Sequence, residues 1–172
     1  MKARDMAAAA IFIALTFVVT RYTVFPIPAT KGFFNLGEVV IYIAAIVFGP
    51  VVGALAGGLG SALADLVAAP QFAPFTLVIK GVEGMIVGRL AGPTRAAWVR
   101  ATIIGGAWMV AGYFAAEVLF ARTLGIAPTP ATAVGAALTE VPFNAVQVIV
   151  GVIVSILIVA RLRSLAPGRL AK

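Results

Sequence analysis

The chain has 172 residues, 62% of them hydrophobic and 11% charged, with a formal net charge of +7 and a mean hydropathy of +1.11. Soluble domains run near half apolar and about a quarter charged, so this composition excludes an ordinary soluble protein, a disordered chain and a nucleic-acid-binding module. Cys and His are both absent, which excludes disulfides, thiol nucleophiles, histidine metal sites and a Ser-His-Asp triad.

A membrane span takes about 20 mostly apolar residues, so six spans use roughly 120 and leave only short loops. The expected fold class is therefore all-α: one polytopic six-helix membrane domain over residues 1–172. The first predicted helix is Ala3–Tyr22. Lys2 and Arg4 ahead of it imitate a signal peptide, but apolar segments continue to about residue 160, so a retained span is expected. Val24–Asn35, with Pro26, Pro28 and Gly32, reads as an ordered loop. Helix 2 is Leu36–Phe48, short for a span, and Gly49-Pro50 makes a tight turn. Helix 3 is Val51–Ala68, followed by a loop between Pro70 and Pro74. Helix 4 is Phe75–Ala91, ended by Gly92-Pro93, and helix 5 is Ala97–Ala121. After a loop at Gly125–Pro130, helix 6 is Ala131–Leu162, and a basic tail closes the chain.

The basic residues set the orientation. With the N-terminus inside, Lys2, Arg4, Arg89, Arg95, Arg100, Arg161, Arg163, Arg169 and Lys172 fall on the cytoplasmic side, and Arg21, Lys31 and Arg122 fall outside. Nine against three predicts both termini in the cytoplasm.

Small residues recur at helical spacing. Gly53, Gly57, Gly60 and Ala64 on helix 3, with Gly84 and Gly88 on helix 4, make smooth faces suited to close packing inside the bundle, or to a sliding interface. Ala7, Ala10 and Ala14 lie along helix 1 and offer a flat face to another membrane subunit.

Charges inside a span cost roughly 2.5–3.5 kcal/mol each on insertion scales, so they line cavities or pair. In the predicted topology they gather in the outer half of the bundle. Lys80 and Glu83 share a face of helix 4. Tyr113 and Glu117 share one on helix 5, and Glu140, Asn144 and Gln147 share one on helix 6. Pro142 interrupts that last face and frees a carbonyl one turn earlier. A kinked helix carrying an acid and two amides suits a ligand site at depth. Asp65 and Glu38 read more simply as structural or capping acids. Phe33, Phe34, Phe72 and Phe75 fit two readings equally: an interfacial aromatic belt, or a stacking wall for a flat heterocycle.

Five segments together carry a resemblance: Pro28–Glu38, Phe48–Ala54, Gly57–Asp65, Pro74–Gly84, and Glu140–Asn144 with Gln147. In this order the chain resembles the S component, or substrate-binding membrane subunit, of energy-coupling factor (ECF) vitamin importers, in the branch of riboflavin- and hydroxymethylpyrimidine-type proteins. The resemblance implies a six-helix fold with both termini inside. It implies a pocket near the outer surface for a water-soluble vitamin or precursor of the hydroxymethylpyrimidine, riboflavin or pyridoxine class. Phe34, Asn35, Lys80, Glu83, Tyr113, Glu117, Glu140, Asn144 and Gln147 are its expected substrate-binding residues. Ala7, Ala10 and Ala14 then dock the transmembrane coupling subunit, which two partner ATPases drive. No catalytic residue, metal or cofactor is expected. Relatives often carry Tyr at the position of Phe33 and Asp at that of Glu38, and a Gly-Tyr pair where this chain has Ala69-Pro70-Gln71-Phe72. The alternative is a stand-alone proton-coupled carrier using Glu117 or Glu140.

Overall fold

The computed structural model describes residues 2–27, 32–127 and 129–165. Pro28, Lys31, Pro128, Arg169 and Lys172, which the sequence reading assigned to loops and tail, lie outside them. Six helices follow in the predicted order: α1 (Ala3–Tyr22), α2 (Gly37–Phe48), α3 (Pro50–Ala68), α4 (Ala73–Leu90), α5 (Arg95–Leu119) and α6 (Pro130–Leu165).

Helix α1 opens with the Lys2 N–H donating to the Asp5 carboxylate at 3.4 Å, an acid where the helix dipole favours one. It ends where the Thr23 N–H and hydroxyl both donate to the Val19 carbonyl. The Thr23 hydroxyl also accepts from the Leu36 N–H at 2.9 Å, closing the segment between them.

That segment is not simply a loop. Phe25–Ile27 (β1) pairs antiparallel with Gly32–Phe34 (β2), Phe25 opposite Phe34 and Pro26 opposite Phe33. Proline suggested a loop, but both strands of a two-stranded ribbon are edges, where proline is tolerated. The Phe25 and Phe34 rings pack 5.8 Å apart.

Between α2 and α3 the chain turns on Gly49 at φ 89°, a conformation that glycine adopts freely. Pro50 then takes the first helical position, where its missing N–H costs nothing. Helix α3 is not uniformly α. Ala56–Gly60 forms one π-helical turn, as occurs where a helix absorbs an extra residue. The turn coincides with close packing. A side chain at Gly57 would strike the Lys80 carbonyl, and one at Gly58 would come within 2.8 Å of the Leu77 carbonyl. On the other side, a Cβ at Gly60 would lie 2.6 Å from Thr16 Cβ on α1. Gly53 and Gly84 face each other's carbonyls. The glycine faces of α3 and α4 are thus one buried seam.

Helix α2 is central. Nine of its twelve residues are buried. On one side Ala44 packs with Ala8, Ala9, Val52 and Ala56 of α1 and α3. On the other, Ile41, Tyr42 and Ala45 pack with Val87, Trp98, Ala101 and Val159 of α4, α5 and α6.

Outside, the bundle exposes Ile11, Leu15, Leu66, Val78, Ile103, Ile149, Ile153 and Leu157, as a lipid-facing surface does. Among the described residues four helices are long and apolar enough to cross a membrane: Ala3–Tyr22, Pro50–Ala68, Arg95–Leu119 and Ala131–Leu165. Helix α2, at twelve residues, reaches only about 18 Å. Helix α4 carries Lys80, Glu83 and Arg89.

Candidate functional site

At the end of the bundle that carries the hairpin, a cavity of about 350 Å³, mouth included, is lined by Phe33, Asp65, Phe72, Tyr113, Glu140, Asn144 and Gln147. Five pieces of chain build it. β2 supplies Phe33, the last turn of α3 supplies Asp65, and the turn before α4 supplies Phe72. Helix α5 supplies Tyr113, and α6 supplies the three residues whose four- and three-residue steps share a face. The aromatic rim is anchored by a cluster in which Ala69, Phe72 and Leu124 are buried and Phe33, Phe75 and Ile126 pack against them.

Four of the expected binding residues therefore meet at the cavity: Tyr113, Glu140, Asn144 and Gln147. Asn35 stands next to them. Its N–H donates to Gln147 Oε1 at 2.8 Å, while its own Oδ1 accepts from the Gly37 N–H at 2.8 Å and holds the start of α2. Phe34 is half-buried and turned toward Phe25; its neighbour Phe33 lines the cavity instead.

Lys80 and Glu83 lie deeper and do not line it. Lys80 forms an ion pair with Glu38 of α2 and lies 3.7 Å from the Glu83 carboxylate. Glu83 also accepts from the Tyr42 hydroxyl at 2.8 Å. All four side chains are buried. Gly151 makes room, since a side chain there would come within 2.6 Å of Glu38 Cβ. The cluster touches the cavity wall from behind: Lys80 Nζ stands 5.7 Å from the centre of the Tyr113 ring. Glu38, expected from sequence as a structural or capping acid, is thus an ion-pair partner of Lys80, and the cap residue of α2, Leu36, makes no side-chain capping bond.

Glu117 is fully buried on α5, beside Glu140. Asp65, read from sequence as structural, faces the cavity. It lies near the Thr76 hydroxyl, which is 2.8 Å from the Tyr113 hydroxyl, a bond in which either oxygen can donate and which joins α4 to α5 beside the acid of α3. The signal for Asp65 was an acid in an apolar helix; its partner on another helix had no sequence signature.

Among the described residues the cavity wall holds two carboxyl groups, two amides and a phenol, and no Lys or Arg. Two phenylalanines bound it. Such a wall is suited to a small flat polar molecule, with rings to cover its faces and polar groups to fix its edge. Among the described residues no group of three or more His, Cys, Asp or Glu is placed to hold a metal ion.

The alanines of α1 divide cleanly. Ala8 and Ala9 are buried against α2 and α3, while Ala7, Ala10 and Ala14 are exposed.

Comparison with known proteins places this geometry in context. The model of the family described as ECF-type riboflavin transporter, S component, matches residues 1–164. A Pyrococcus woesei protein described as an uncharacterized protein in the gap 3' region is 41% identical over 140 residues, 80% of this chain and 86% of that protein. The thiamine precursor transporter HmpT of Lactococcus lactis subsp. cremoris is 36% identical over 148 residues, 85% of this chain and 80% of that protein.

Proposed function

The chain belongs to the ECF-type riboflavin transporter S component family, and on that premise we propose that it is the substrate-capturing subunit of an ATP-driven importer of a water-soluble vitamin precursor. As a family member it is a multi-pass membrane protein and a transporter component, not an enzyme. The observation that carries the proposal is the cavity, with Tyr113, Glu140, Asn144 and Gln147 converging from α5 and α6.

Its lining of two phenylalanines and a few polar groups suits a one-ring heterocycle of the hydroxymethylpyrimidine or pyridoxine class. The relative named for a thiamine precursor supports the pyrimidine. The reading places all six helices in the cytoplasmic membrane with both termini inside, as the basic residues favour. In that frame α2 and α4 cross as buried members of the bundle, and their charges face protein. The cavity then opens outward. Energy comes from partners: a transmembrane coupling subunit, docked on Ala7, Ala10 and Ala14, and two ATPases. The exposure of those alanines beside the inward-packed Ala8 and Ala9 supports this face, because small residues let helices approach closely.

A thermal-shift screen of the purified chain against B vitamins and their precursors tests the proposal. Ligand binding to the folded state alone raises the melting temperature by mass action. Stabilisation by a pyrimidine or pyridine alcohol is expected; well-folded protein unmoved by every compound refutes it.

A further inference from the structure

Gln147 serves two masters, and one of them dictates how it meets the other. Side-chain amides are ordinarily ambiguous, because oxygen and nitrogen can exchange places. Here the ambiguity is removed. The partner of the Gln147 side chain is the backbone N–H of Asn35, 2.8 Å from Oε1, and a backbone N–H can only donate. The amide oxygen is therefore committed to the hairpin side, and the NH₂ is the end left for the cavity that Gln147 lines. The clamp is itself held from behind, since Asn35 Oδ1 accepts from the Gly37 N–H and the Leu36 N–H donates to Thr23. Rotating the Gln147 amide would set two donors against each other in a site where Gln147 is 3% exposed.

We infer that Gln147 is a specificity-determining donor whose polarity is imposed by Asn35, so that the pocket selects a heterocycle presenting a ring acceptor next to a hydrogen-bond donor. The donor on the ligand is met by the carboxyl groups on the same wall, Asp65 and Glu140. An aminopyrimidine has this edge: a ring nitrogen beside an exocyclic amine. The assignment rests on the binding-subunit reading above and deepens it from a ligand class to a ligand edge. It also gives the clamp a second consequence. The amide that reads the ligand is the one that fastens β2, and with it Phe33, over the cavity. A buried donor left facing a C–H is costly, so discrimination falls on the ring nitrogen.

The test is calorimetry on the full chain in detergent with three probes. They are 4-amino-5-hydroxymethyl-2-methylpyrimidine and its two analogues in which one or the other ring nitrogen is replaced by C–H. The wild type is expected to bind the pyrimidine and to bind the analogue lacking the ring nitrogen next to the amine at least tenfold more weakly, while a loss confined to the other analogue overturns the assigned edge. In Gln147→Met, which has similar reach and no donor, the pyrimidine weakens at least tenfold and the difference between pyrimidine and the analogue lacking that nitrogen closes to within about twofold. Amide hydrogen exchange provides a readout free of ligand: Asn35 is protected in the wild type and exchanges faster in Gln147→Met. Equal wild-type affinities for all three probes, or a tenfold difference that persists in Gln147→Met, overturn the inference while leaving the binding-subunit reading intact. Unchanged Asn35 exchange in the variant overturns the clamp. Wild-type protein that binds no heterocycle of the vitamin panel overturns both readings together. Should Gln147→Met fail to fold, the wild-type analogue comparison and Asn35 protection still decide the matter.

Discussion

Replacing Lys80 by Met removes the cation from a buried cluster and leaves its acids behind. Glu38 and Glu83 are both fully buried, and Lys80 lies against the first and 3.7 Å from the second. At that distance, with the effective dielectric suited to protein sites, the Lys80–Glu83 attraction alone is about 4 kcal/mol. Most of it is offset by the cost of burying the charges. The acids' share of that cost remains in the variant while the attraction is lost. Tyr42 still donates to Glu83, but among the described residues no comparable donor meets Glu38. Breaking one side of a buried pair typically costs about 3–5 kcal/mol, and Lys80→Met is expected to destabilise the chain by this amount. The double variant Lys80→Met/Glu38→Gln, which removes one orphaned charge as well, is expected to recover at least half of the loss. Equilibrium unfolding in mixed micelles by added denaturing detergent, followed by tryptophan fluorescence, measures both. A single variant within about 1 kcal/mol of the wild type would refute the claim that this cluster is held together by charge.

Other expectations concern the pocket, the seam and the docking face. Asn144→Ala, which removes an amide from the cavity wall, should weaken ligand binding by roughly 1.4–2.7 kcal/mol, or about ten- to a hundredfold, with little change in the melting temperature of the free protein; calorimetry beside thermal unfolding checks this. Gly84→Ala drives a methyl group into the Gly53 carbonyl, and since backbone cannot step aside cheaply, a loss of about 1–3 kcal/mol is expected in the same unfolding assay. Ala10→Trp, on the exposed face of α1, should leave ligand affinity within about twofold of wild type, a change of under 0.5 kcal/mol, while abolishing co-purification with the coupling subunit and uptake in reconstituted vesicles. Unimpaired uptake by that variant would move the docking surface elsewhere.

How much of this was legible in the residues depends on whether the cause was local. Helix bounds came through closely because Gly49-Pro50 and Gly92-Pro93 punctuate the chain chemically. The face of α6 came through because its spacing is a property of one helix, and Glu140, Asn144 and Gln147 do line one cavity. What escaped was contributed by partners far along the sequence. Lys80 and Glu83 share a face, as their spacing implies, but that face turns to Glu38 and Tyr42 on α2 rather than to the cavity. The π-turn at Ala56–Gly60 is invisible in a run of small residues that also suits an unbroken α-helix. The hairpin was hidden by Pro26, whose tolerance depends on the ribbon having only edges. Phe33 and Phe34 are adjacent and alike, and the register alone sends one to the cavity and the other to Phe25.

The central claim, that this membrane subunit captures a small heterocycle between α5, α6 and the hairpin, is tested most directly by titrating the detergent-purified chain with 4-amino-5-hydroxymethyl-2-methylpyrimidine in a calorimeter, with Asn144→Ala alongside. The account predicts saturable binding at one site per chain, at least tenfold weaker in the variant. A flat titration for this compound and for the other B vitamins and precursors, from protein that unfolds cooperatively, or equal affinities in the two proteins, would contradict it.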